Sequence, residues 1–467
     1  MKNNTIIAIA ALTGIVGCHE VEETDQKPNI IYILTDDLGY NDLGSFGSEL
    51  IKTPVLDQMA EDGMRFTQHY AGSAVCAPSR SVLMTGLHSG NTPVRGNRQV
   101  EPSGQMPLPE NTVTIATLLK DAGYTTGLIG KWGLGVVGTT GEPNKHGFDH
   151  YFGYLDQVLA HNHTPGFLIR NGEKVMLDNV VEYRDTSEWH KGLGSYPVEM
   201  NEFSQDLFTQ EAIEFVENNQ NDPFFLYYPV IIPHDNGEAL PGKRYSEVPS
   251  FGIYENMDWT EEEKGYAAMI TYLDEEIGKL LDKLTELNLD ENTLVIFTSD
   301  NGGQSPGRFL DISNYPYRGI KRQLYEGGIR VPMIARWTGT IEPGTVSNHM
   351  SAFWDVMPTF CNLAEIPTPE FTDGISFLPE LTGKEQKQHE YLYWEFHEQD
   401  KKQAVRKGKW KAVRNNVAEN PFGPIELYDL EKDPSENTDI SFVYPEVVNQ
   451  LTQLIDNTRS EDPNWEF

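Results

Sequence analysis

Cysteine is scarce: Cys18, Cys76 and Cys361 are the three in 467 residues, too few for a disulfide framework. Positive charge is scarce as well, with 36 Lys and Arg against 70 Asp and Glu, a formal net charge of −34. Nucleic-acid binding needs a basic face that displaces counterions from phosphates, and docking on anionic lipid needs basic clusters. Both are excluded. The apolar stretch Ile6 to Ile15 has about ten residues, half of the ~20 needed to span a bilayer as a helix. No repeat, coiled-coil heptad or low-complexity segment is present. What is there, 38% hydrophobic and 11% aromatic residues, can bury a large core, so wholesale disorder is excluded too. An acidic, soluble, globular enzyme is the expectation that remains.

The first residues read as processing signals. Lys2 supplies a positive start, and the short apolar stretch ends in Ile15-Val16-Gly17-Cys18, which resembles the bacterial lipobox. That resemblance implies a signal peptide over residues 1–17 and an acidic tether over 18–27. The expected location is exported: a periplasmic, outer-membrane or cell-surface lipoprotein, touching the membrane only through lipid on Cys18.

Five continuous apolar runs, Ile30–Leu34, Thr126–Ile129, Phe224–Val230, Leu294–Thr298 and Val331–Ala335, read as buried parallel strands, since parallel sheets are covered on both faces. Helical patterns lie between them. Thr53-Pro54, Thr114 and Ser204 start three, and Thr260 with Glu263 makes a capping box for the longest, to about Asn288. This alternation predicts a doubly wound α/β sheet over 28–387. From 388 to 467 the texture changes to short antiparallel strands and a last helix from Pro445, a smaller α+β subdomain.

Asp36-Asp37 and Asp300-Asn301 each follow a predicted strand directly. Ligands gather at the carboxyl ends of parallel strands, so the two pairs can meet and form an all-oxygen cluster. Such a cluster suits a hard cation, Ca²⁺ before Mg²⁺, and not zinc. Taken alone, one such pair reads as a turn or helix cap more readily than as a ligand.

The segment Cys76-Ala77-Pro78-Ser79-Arg80, with Thr85-Gly86 five residues after the Arg, resembles the signature of the type I sulfatases of the alkaline phosphatase superfamily. Gly130-Lys131-Trp132, Pro233-His234, Arg318-Gly319-Ile320-Lys321 with Glu326-Gly327-Gly328, and Glu426-Leu427-Tyr428-Asp429 continue it in family order. The resemblance implies an alkaline-phosphatase-like α/β sandwich with a smaller C-terminal antiparallel sheet. It implies formylglycine made from Cys76 by a separate maturation enzyme, and metal held by Asp36, Asp37, Cys76, Asp300 and Asn301. It further implies Arg80, Lys131 and Lys321 around the sulfate, and His234 as general acid with Lys321. One residue departs: Gly133 stands where the family has a His acting on the formylglycine hydroxyl. His161 and His163 are the expected replacements.

Three readings follow: a sulfatase acting on a sulfated carbohydrate, a phosphoryl or phosphonate ester hydrolase of the same superfamily, or a silent sulfated-glycan binder. Aromatic loops around Trp189, Tyr196 and Tyr254 favour a glycan. His88 and His190 are further expected neighbours of the substrate, and Cys361 is expected in the core. The run Gly133-Leu134-Gly135-Val136-Val137-Gly138 matches a dinucleotide fingerprint but lacks the following helix that would hold a pyrophosphate.

Overall fold

The computed structural model describes residues 27–101, 104–184, 192–304 and 310–467. The expected signal peptide, the expected tether up to residue 26, Cys18, Trp189 and His190 lie outside the described residues. Strands Asn29–Thr35, Phe224–Pro229, Thr125–Lys131, Thr293–Ser299 and His150–Tyr154 form the parallel centre of an eleven-stranded sheet. Their near-continuous burial is what the apolar runs demand. Val331–Ala335 is also a strand, as Arg330–Arg336, but it is not parallel: it runs antiparallel to both Thr293–Ser299 and Met64–Tyr70. A buried strand shows the same apolar run in either direction, so its sense is set by the connection that precedes it. Phe167–Arg170 and then Glu173–Met176 close the other flank, also antiparallel. The sheet is therefore mixed and mostly parallel.

Helices cover the sheet. The longest, Glu261–Glu286, starts with the expected capping box between Thr260 and Glu263. Thr114 caps its helix by accepting from the Thr117 amide. Thr53 does not cap its own; its hydroxyl accepts from the Gly44 amide and donates to Asp57.

The C-terminal strands Leu392–Phe396, Lys402–Lys407, Trp410–Arg414 and Glu426–Asp429 make the predicted antiparallel sheet, with the helix Pro445–Asn457 packed on it. One face of this sheet is continuous with the main core, through Leu392, Trp394, Phe396 and Tyr428. Ions cross the same boundary. Lys411, fully buried, lies 2.8 Å from Glu326 and 3.2 Å from Glu436. Burial alone would raise Glu326, yet Lys411 and Arg330 hold its carboxyl down at about 2.

Candidate active site

The register of the sheet builds the acidic cluster. Thr35 pairs with Ser299, so the residues that follow them, Asp36 and Asp300, emerge side by side. The Asp300 amide donates to the Thr35 carbonyl at 3.0 Å, and the Asp37 amide to the Asp300 carboxylate at 3.3 Å. Asp37 takes a left-handed conformation, φ 68°, which turns its carboxylate back over the strand end. Asn301 donates to Asp37 at 2.6 Å, while its own Oδ1 is buried without a hydrogen bond. All four side chains are buried.

The helix Cys76–Thr85 aims its first residue at this cluster. Gly86, left-handed at φ 67°, ends it, which explains the glycine of the signature. Arg80 is one turn beyond Cys76 on the same face. Its Nε and Nη2 donate to Asp300 at 3.1 and 2.9 Å, and Nη1 donates to the Lys131 carbonyl. Lys131, last residue of its strand, reaches Asp36 at 2.6 Å. Lys321 reaches Asp37 at 2.7 Å and His234 Nε2 at 3.0 Å. Glycines place Lys321: a Cβ on Gly302 would stand 1.9 Å from the Gly327 carbonyl oxygen, so only bare backbone lets these segments meet. The Lys321 amide then donates to Gly303 at 3.1 Å.

Three buried cations thus face three buried carboxylates. Burial raises Asp36, but Lys131, with Arg80 and Lys321, holds it well below the usual carboxylate range. Burial and the Asp36 charge push Asp300 up to about 7. Burial and Asp36 likewise push the Cys76 thiol up, and Sγ donates to Asp36 at 3.1 Å. The helix end does not make Cys76 a reactive thiolate, because burial and the neighbouring carboxylate oppose it. The His234 ring has both nitrogens engaged: Nδ1 donates to the Asp235 carbonyl at 2.7 Å and Nε2 accepts from Lys321. Burial and Lys321 hold this ring well below the ordinary imidazole range.

Above the cluster opens a cavity of about 360 Å³, lined among others by Cys76, Lys131, Lys321, His234, His161 and Gly133. Asp36, Asp37, Cys76 and His234 each bring a potential ligand atom within 4.8 Å of the others. This is a candidate metal site, and two of its four donors are carboxylate oxygens. His161 lies against His234 and bonds Glu238 through Nδ1 at 3.0 Å. His163 is fully buried behind it, with Nε2 at 2.8 Å from the His234 carbonyl, outside the cavity lining. His88 does not reach the cavity either; it packs beside Asp373 and Asn91. Cys361 is buried in the helix Val356–Leu363, as expected.

Among the residues that no motif announced are Gln304, which joins Asp37 to Asp235 at 2.6 and 3.1 Å, Gln157, Arg98 and Arg244, which line the cavity, and Glu238, which holds His161.

Residues 28–366 match the family model described as Sulfatase, and residues 319–461 match that of the N-sulphoglucosamine sulphohydrolase C-terminal region. The chain belongs to the sulfatase family. It is a sulfuric ester hydrolase, with the fold of that family. Among its relatives, the N-acetylgalactosamine-6-O-sulfatase of Bacteroides thetaiotaomicron is 30% identical over 97% of both chains. Human arylsulfatase A is 33% identical over 92% of this sulfatase and 87% of its own length. Of the solved structures, Ps i-CgsB, also solved in complex with k-i-k-neocarrahexaose, superposes with a TM-score of 0.76 at 29% identity, covering 93% of each chain.

Proposed function

We propose that this sulfatase hydrolyses sulfate esters of a sulfated carbohydrate, with a formylglycine made from Cys76 and a Ca²⁺ held by Asp36, Asp37, Asp300 and Asn301. The observation that carries the reading is the placement of Cys76: a protonated, buried thiol at the cavity floor, ringed by Arg80, Lys131 and Lys321. The sulfated glycans or amino sugars in the names of its relatives support the carbohydrate.

The donors fit a hard cation. They are three carboxylates and an amide, and the buried Asn301 Oδ1 has no other partner. Magnesium prefers to keep several waters and few protein ligands, whereas calcium accepts a set this rich. When bound, the cation supplies charge that polarises the ester and lowers the nucleophile's pKa. When installed, the formylglycine supplies, as its hydrate, one hydroxyl to attack sulfur and a second to release the sulfate, which a plain Ser or Cys lacks.

The chain's own groups do the rest. Arg80 is locked by its fork on Asp300 and stabilises negative charge at position 76. Lys131 spends one N–H on Asp36, and Lys321 spends one on Asp37 and one on His234, which leaves N–H groups on both for sulfate oxygens. His234 and Lys321 hold a proton between Nε2 and Nζ, beside the place of the leaving alcohol oxygen. We assign the role left open at Gly133 to His161, which lines the cavity, and not to His163, which holds the backbone at His234. The same reading calls for export, a lipid anchor on Cys18 and a formylglycine-generating enzyme in the host.

The test is a mass spectrum of the peptide holding residue 76, after expression beside a maturation enzyme, with turnover of 4-nitrophenyl sulfate and 4-nitrophenyl phosphate. An aldehyde at 76 and sulfate-selective turnover are expected. An intact thiol in an active preparation overturns the formylglycine reading, and phosphate-selective turnover overturns the substrate class.

A further inference from the structure

Gly133 and Gln157 compete for one volume. A Cβ on Gly133, whose φ is 76°, would stand 2.3 Å from Gln157 Nε2 and 2.9 Å from its Cδ. Glycine at 133 is thus what admits the carboxamide to the cavity, where both residues are lining. The backbone that presents Gln157 is fixed from both sides. Its amide donates to Gln105 Oε1 at 2.9 Å, and Gln105 Nε2 donates to the Leu155 carbonyl at 2.8 Å. Asp156 Oδ1 accepts from the amides of Val158 and Leu159, each at 2.8 Å. A side chain on so constrained a support is positioned in advance.

Its own hydrogen bonds are poorly met. Nε2 makes one long contact, 3.3 Å to the Gly133 carbonyl, and no described residue bonds Oε1. The amide therefore offers the cavity an acceptor and a spare donor side by side. Nearby charged groups, Lys131 and Lys321, are suited to the sulfate itself. A neutral amide complements instead a hydroxyl or an acetamido group, which both donate and accept.

We propose that Gln157 is a specificity residue, which binds a neutral hydroxyl or acetamido substituent of the sugar next to the sulfate ester. This rests on the carbohydrate reading above and narrows it to sugars carrying such a neighbour.

The experiment compares wild type, Gln157→Leu and Gln157→Ala on 4-nitrophenyl sulfate and on the 6-sulfates of galactose, N-acetylgalactosamine and N-acetylglucosamine. For the sugars turned over, kcat/KM should fall at least about tenfold further than for the aryl sulfate, through KM, as expected for one lost hydrogen bond in a closed site. Calorimetric binding of the same sugars to Cys76→Ser should weaken in parallel when Gln157→Leu is added, a readout free of turnover. Gly133→Ala should cost sugar turnover in the wild-type background and at least threefold less beside Gln157→Ala, because the two residues share space. Equal losses on aryl and sugar sulfates, or additive effects of the two positions, overturn the proposal. A wild type that turns over the aryl sulfate, but neither turns over nor binds any of the three sugars, overturns the carbohydrate reading itself.

Discussion

The imidazole of His161 lies flat on that of His234, with ring centroids 4.6 Å apart and 11° between the planes. Glu238 holds His161 through Nδ1, which leaves Nε2 without a described partner at the cavity. His161→Ala should lower kcat by about a hundredfold, within the usual range for a lost proton-transfer group. His163→Ala should act mainly on stability, since its ring is buried against Phe203. Steady-state kinetics and thermal melts of both variants decide this; full activity in His161→Ala sinks the assignment.

Arg80→Lys keeps the charge but loses the fork on Asp300 and the bond to the Lys131 carbonyl. The expected outcome is at least a hundredfold loss of kcat and a clear drop in Tm. Breaking a buried pair costs about 3–5 kcal/mol, and a lysine restores only part of the geometry. A variant with wild-type kcat would show that the fork is dispensable.

Exhaustive treatment with a calcium chelator should abolish turnover and lower Tm. A ligand that binds only the native state stabilises it in proportion to RT ln(1 + [L]/Kd). Ca²⁺ should restore both quantities at lower concentration than Mg²⁺. A Tm indifferent to chelator and to added Ca²⁺ would remove the metal from the acidic cluster.

Burial pushes the carboxyl of Glu247 up to about 8, against the partial relief of bonds from the His163 amide and the Asn236 side chain. The folded state therefore keeps a proton that the unfolded chain releases near pH 4.5. Stability from this group is present in acid and declines as pH rises from about 4.5 to about 8. Glu247→Gln, neutral throughout, should flatten Tm against pH over that window. An unchanged slope would assign the pH dependence elsewhere, with buried Asp42, raised by burial to about 7, the next group to substitute.

The net charge of −34 should repel long polyanions from all but the cavity mouth, and exposed charges are screened within about 8 Å at physiological salt. Turnover of a polymeric sulfated substrate should rise with moderate salt, while that of a monosaccharide sulfate changes little. A loss of polymer turnover from the first added salt would reverse the argument.

Much of the site was legible because strand ends are. Asp36-Asp37 and Asp300-Asn301 follow apolar runs whose parallel pairing brings them together, and Cys76 and Arg80 share a helix face that spacing alone defines. The direction of Val331–Ala335 was not legible, because burial on both faces erases the pattern that separates the two senses. Glu238, Gln304 and Gln157 were not legible either. Gln304 and Gln157 reach the cavity, and Glu238 reaches His161, across sequence separations that no local period encodes, and the one available signal for Gln157 was indirect: a glycine at 133 where a larger side chain was expected. His88 is the opposite case: expected beside the substrate, its ring is committed to Asp373 and Asn91, outside the cavity lining.

Lys411 sets how far the molecule can be divided. It reaches from the C-terminal sheet into the buried bond network of Glu326, and Glu326 begins the short helix Glu326–Ile329, whose Gly327 and Gly328 pack on Gly302 and Gly319 near Lys321. A gene shortened to residues 28–387 would leave Glu326 without its lysine and bare the apolar surface that Trp394 covers. Its product would be an insoluble fragment and not a smaller catalyst, so the last eighty residues act as a keystone and not as an appendage.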